Sequence, residues 1–141
     1  MIQRIQTIWL ALAAICGFAM SRVPLFNATL ADNSSRIVFA SDHLVVFALS
    51  IAVACMSTVA IFLFKKRTTQ FKLAVTGILL SIAVVGLEVY YINAFKQSTP
   101  MIKGTYNAGG LLPIAMAIFL WLAAGGIRRD EKLVKSLDRL R

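Results

Sequence analysis

The chain has 141 residues but only six Asp and Glu, one His and two Cys. Each shortage excludes a chemistry. A structural zinc site takes four nitrogen or sulfur ligands, and Cys16 and Cys55 have no further Cys or His at ligand spacing. Paired carboxylates for acid–base hydrolysis are missing. So are a serine nucleophile motif, a glycine-rich phosphate loop and a paired-histidine metal signature. The reading is therefore not an enzyme, with no metal and no cofactor. A lipid-modifying membrane enzyme is the remote alternative. The two cysteines are expected to be buried free thiols. Charge is absent altogether from residues 44–64, which excludes an amphipathic helix of a soluble domain there.

What the chain does contain is apolar sequence, at 59% of residues. It falls in four runs, at about 5–20, 44–64, 73–95 and 111–127. A helix crossing about 30 Å of hydrocarbon takes about 20 apolar residues, and about 17 is the lower end. The second and third runs meet this easily, and the first and fourth sit near the lower end. The expectation is one all-α domain, a four-helix transmembrane bundle spanning 1–141, with the lipid bilayer as its first partner. An uncleaved first helix is the simpler account of the N-terminus than a signal peptide.

The basic residues are placed unevenly. Arg4, Lys65, Lys66, Arg67, Lys72, Arg128, Arg129, Lys132, Lys135, Arg139 and Arg141 would share one side of a four-crossing chain. Arg22, Arg36, Lys96 and Lys103 would lie on the other. By the positive-inside rule the first side is cytoplasmic, so both termini are in. A bacterial inner (cytoplasmic) membrane fits this. The basic balance thus reports topology, and no aromatic-basic pattern points to nucleic acid.

The first outer loop, 21–42, holds Pro24, Asn27, Asp32, Asn33, Ser34 and Ser35, all turn formers. Extended stretches at 22–30 and 36–40 flank them, which predicts a short β-hairpin. The second outer loop, 96–110, reads as irregular, punctuated by Pro100, Gly104, Gly109 and Gly110. Pro113 suits the first turn of helix four. Ala123, Ala124, Gly125 and Gly126 suggest a hinge, after which 128–141 reads as a separate amphipathic cytoplasmic helix.

Glu88 is the one ionisable residue inside a run, about 6 Å outward of its centre. A carboxylate at that depth costs a few kcal/mol unless it is paired or watered. Ala74, Gly77, Ser81, Glu88 and Tyr91 fall on one helical face, as do His43, Ser50, Ala54 and Ser57 on another. Glu88, His43, Tyr91, Ser81 and Ser50 are therefore the candidate intramembrane polar site. The favoured role is structural or partner-binding. The alternative is an ion- or proton-coupled channel or transporter subunit using Glu88. Ala13, Gly17 and Ser21 form a small-residue ridge on helix one. At the C-terminus, Leu133, Leu137 and Leu140 make a stripe beside Lys132, Lys135 and Arg139, a candidate contact for a partner or the membrane surface.

The opening Met-Ile-Gln-Arg-Ile-Gln at 1–6 runs directly into an apolar helix. The chain closes on Ile-Arg-Arg-Asp-Glu-Lys-Leu-Val-Lys-Ser-Leu-Asp-Arg-Leu-Arg at 127–141. Both ends resemble an uncharacterised integral membrane family of Bacteroidota, domain of unknown function family 4293. The resemblance implies a four-crossing inner-membrane protein and supplies no catalytic residue. The expected function is a small accessory or scaffold protein, with a membrane protein partner or a homo-oligomer.

Overall fold

The computed structural model describes residues 2–138, and side chains for 5–134 and 136. The side chains of Lys135, Leu137, Arg139 and Leu140, expected on the C-terminal stripe, lie outside that set. Among the described residues there are four α-helices: α1 (Ile2–Ala19), α2 (Leu44–Phe62), α3 (Arg67–Ser98) and α4 (Leu112–Asp138). Three strands accompany them: β1 (Pro24–Leu30), β2 (Ser35–Phe39) and β3 (Met101–Tyr106). Short 3-10 turns, Ala40–Asp42 and Ala108–Leu111, lead into α2 and α4.

Three stretches, within α2, α3 and α4, are long and apolar enough to cross a membrane, and the apolar part of α1, Ile5–Ala19, is shorter. Large apolar side chains point outward along them, among them Phe62, Leu79, Ile82 and Trp121. In water such a surface would be an aggregation liability. In lipid it is the ordinary outer face of a membrane protein.

Contacts fix the directions of the helices. Gln6 lies against Gly126 and Gly17 against Met116, so α1 runs antiparallel to α4. Gly77 meets Leu120, and Arg67 meets Asp130, so α3 is antiparallel to α4 as well. His43, the residue just before α2, stacks on Tyr91 of α3. Each helix thus touches two neighbours, and the core is shared by Leu10, Ala13, Val46, Val53, Val84, Met116 and Leu120. Glycines set three of the seams. A Cβ on Gly17 would stand 2.9 Å from Ala54 Cβ and 3.0 Å from the Ser50 carbonyl oxygen. With no hydrophobic driving force between them, lipid-embedded helices associate through the van der Waals packing that such close backbone approach allows.

The expected hairpin is present, and a third strand extends it. β1 pairs antiparallel with both neighbours, in the order β2-β1-β3. The hairpin turn follows from its residues. Asn33 takes the left-handed conformation at φ 62, which Asn tolerates. The Asp32 carboxylate accepts hydrogen bonds from the Ser34 amide at 3.0 Å and hydroxyl at 2.7 Å. The third strand corrects the reading of 96–110 as irregular. Gly104, read as punctuation, is a pairing residue opposite Ala28, and a Cβ there would run into the Phe26 ring. The sheet rests on the end of α3 through Phe26, Ala28, Val38 and Ile92.

Three further expectations are revised. Residues 128–138 are a direct continuation of α4, with no separate helix and no break at Gly125 or Gly126. Glycine is tolerated inside membrane helices, and here Gly126 makes room for Gln6. The turn between α2 and α3 shrinks to 63–66, because Thr68, Thr69, Gln70 and Phe71 contain no helix breaker and join α3. Of the cysteines, both free, Cys16 is half-buried and Cys55 is exposed rather than buried, on the outward side of α2.

Candidate functional site

The molecule has a sheet end and a basic end, and the candidate residues divide between them. At the sheet end, α3 carries Glu88 one turn before Tyr91 and Ile92. Glu88 is 5% exposed. Its carboxylate faces the turn before α4: a Cβ on Gly110 would stand 2.8 Å from Glu88 Oε1, and 3.7 Å from the Leu25 carbonyl oxygen. Gly109 beside it is pinned under the Pro24 backbone. The carboxylate therefore sits under a cap made by the start of β1 and the 108–111 turn, inside protein and away from lipid.

His43 and Tyr91 are brought together, with ring centroids 4.2 Å apart and planes within 15°. Tyr90 meets Tyr91 edge-on at 5.5 Å. No ion pair joins His43 to Glu88 among the described residues. Ser50 and Ser81 are buried but do not join the cluster. The Ser50 hydroxyl donates to the Val46 carbonyl at 2.7 Å, and that of Ser81 to the Gly77 carbonyl at 2.8 Å. Along the chain each lies seven residues, about two helical turns, from the set: Ser50 from His43 and Ser81 from Glu88. Such bonds back to the preceding turn satisfy a buried serine within its own helix.

Beside this cluster, Lys96 Nζ lies 4.6 Å from the Tyr106 ring centroid and 5.2 Å from that of Phe26, and donates to the Tyr106 hydroxyl at 3.1 Å. The lysine ties α3 to β1 and β3. Outward from the sheet, Ile37 and Ile102 are exposed. A metal-binding group of His, Cys, Asp or Glu is absent among the described residues.

At the basic end, Arg67 Nη1 donates to the Asp130 carbonyl at 3.0 Å, and Arg128 lies 4.9 Å from the Phe71 ring centroid. The start of α3 therefore holds the extension of α4. Lys132 and Leu133 remain exposed beyond that contact. Gln6, 5% exposed, lies over Gly126.

Sequence reasoning missed Gly110, Leu25, Gln6 and the Arg67–Asp130 contact. The paired glycines at 109–110 and 125–126 were the available signal, since each pair marks a close approach as readily as a loop or hinge.

Comparison with curated proteins and with solved structures finds no match. The family resemblance seen at the two ends of the chain extends through it. The family model described as Domain of unknown function (DUF4293) matches residues 2–140, across all four helices and the sheet, and the chain belongs to that family.

Proposed function

We propose that this chain is a non-enzymatic accessory or scaffold protein of a bacterial inner membrane. In this reading it is a four-helix transmembrane bundle with both termini and the 63–66 turn in the cytoplasm. The orientation rests on the excess of basic residues at one end. The crossing of α1 is supported by its antiparallel packing along α4, which places it over the same depth. Its 18 residues reach about 27 Å, close to the hydrocarbon thickness.

The observation that carries the scaffold reading is the sheet. Two loops far apart in sequence cooperate to build it, and α3 and Lys96 brace it. β2 and β3 are its edges, and Ile37 and Ile102 stand exposed on them. An exposed edge strand offers unpaired backbone groups to another chain. A membrane protein partner or a second copy would dock there. The exposed Lys132 and Leu133 at the basic end are the second contact surface.

Ion or proton transport through Glu88 has less support. Ser50 and Ser81, which would extend a polar path inward, are satisfied within their own helices. Val46, Val53 and Val84 fill the interior between them. The test is photo-crosslinking in intact cells with a reactive residue at Ile37, Ile102 or the lipid-facing Leu79. The scaffold reading expects a discrete protein adduct from the sheet positions and none from Leu79. No protein adduct from Ile37 or Ile102 would contradict it.

A further inference from the structure

Between α1 and α4, at the basic end, lies a cleft of about 480 Å³. Ile5, Trp9, Trp121, Gly125 and Gly126 form its apolar walls, and Gln6 and Arg129 also line it. Nothing stands within 4 Å of where a Gly125 Cβ would be, so the glycine leaves the groove open. Two features set this groove apart from plain lipid-facing surface. Gln6 is buried, and its Nε2 has no hydrogen-bond acceptor among the described residues. An unmet buried donor is costly, so an acceptor supplied by a ligand would be bound with that cost relieved. Arg129 adds an exposed guanidinium at the mouth of the cleft, the side chain best shaped to grip a phosphate.

The cleft is apolar along its length and cationic, with a spare donor, at its head. We propose that it binds one anionic phospholipid, with an acyl chain along Trp9, Trp121 and Gly125, the phosphate at Arg129, and the buried Gln6 amide turning outward to donate to a glycerol-ester oxygen. The two indoles stand on the apolar walls inward of Arg129, where an acyl chain would lie. The inference requires membrane embedding but not the orientation or the scaffold role, so its test is made on purified protein.

The chain has two tryptophans, and both line this cleft. Their fluorescence therefore reports its occupant. The protein is reconstituted in bilayers containing brominated phosphatidylglycerol or, separately, brominated phosphatidylethanolamine at equal mole fraction. The brominated anionic lipid should be preferred about fivefold, the effect of one cation at headgroup level. Arg129→Gln should abolish the preference. Arg128→Gln, whose side chain lies over Phe71 outside the cleft, should keep it. Gly125→Leu, which fills the groove, should reduce quenching by both lipids. Equal quenching by the two lipids in the parent, or a preference surviving Arg129→Gln, would overturn the proposal. So would recovery of fluorescence on adding soluble glycerol phosphate, which would make the anion alone the ligand. Absence of quenching in a dimeric protein would put a second copy in the cleft and overturn it too.

Discussion

The Glu88 carboxylate and Gly110 share one space: a side chain at Gly110 would stand 2.8 Å from Glu88 Oε1. The one carboxylate of α3 is thus accommodated by the residue that lacks a side chain in the turn before α4. Gly110→Ala should destabilise the protein by about 1–3 kcal/mol, the usual cost of overpacking. Glu88→Ala vacates the space, so the double variant should be more stable than the sum of the two losses by at least about 0.5 kcal/mol. Thermal unfolding in detergent measures both. Strict additivity would mean that the two residues are not in contact.

Gly17 and Gly86 make a matched pair of opposite sign. A Cβ on Gly17 meets Ala54 at 2.9 Å and the Ser50 backbone at 3.0 Å, while one on Gly86 meets nothing within 4 Å. Gly17→Ala should therefore separate α1 from α2 and cost about 1–3 kcal/mol. Gly86→Ala should be neutral or stabilising by up to about 1 kcal/mol, through helix propensity. Comparing the two melting curves checks the claim that Gly17 sets the seam.

The Asp32 turn should respond to acid. Donation from the Ser34 hydroxyl and amide holds the Asp32 carboxyl below its ordinary value. A carboxyl depressed by folding contributes fully above its ordinary value and loses that contribution as pH falls through the folded value. The protection of the Ser34 amide against exchange, taken relative to the intrinsic rate at each pH, should thus fall on acidification below the ordinary carboxylate value of about 3.9. Asp32→Asn should remove that dependence.

Arg67 should be the residue that keeps the extension of α4 in place. Loss of its hydrogen bond to the Asp130 carbonyl should cost about 1 kcal/mol. Arg67→Ala should accordingly speed tryptic cleavage after Lys132 about fivefold. Unchanged cleavage would mean that residues 131–138 are held by something else.

The long apolar runs were legible because a bilayer demands uniform composition over a whole helix, and composition survives without knowledge of contacts. The hairpin was legible because Asp32, Asn33 and Ser34 specify their turn locally. β3 was not. Its Gly104 is dictated by the Phe26 ring, which arrives from a loop nearly 80 residues earlier. The continuity of α4 was hidden for the same reason. Gly125 and Gly126 look like a break until Gln6 is seen packed on Gly126. At the candidate site, the faces holding Glu88, Ser81 and Ser50 were readable from helical spacing. Which of those groups meet was not, because Ser50 and Ser81 bond their own helices while Glu88 turns to a backbone turn across the fold.

Four crossings require α1 to span the membrane, which puts the N-terminus on the same side as the basic end. The direct measurement is labelling with a membrane-impermeant maleimide in a background carrying Cys16→Ala and Cys55→Ala. Single cysteines are placed by Gln3→Cys, Thr105→Cys and Ser136→Cys. Thr105→Cys, on β3, should be labelled in intact spheroplasts, and the other two only after permeabilisation. Labelling of Gln3→Cys together with Thr105→Cys in intact spheroplasts would mean three crossings, and would contradict the four-helix membrane scaffold.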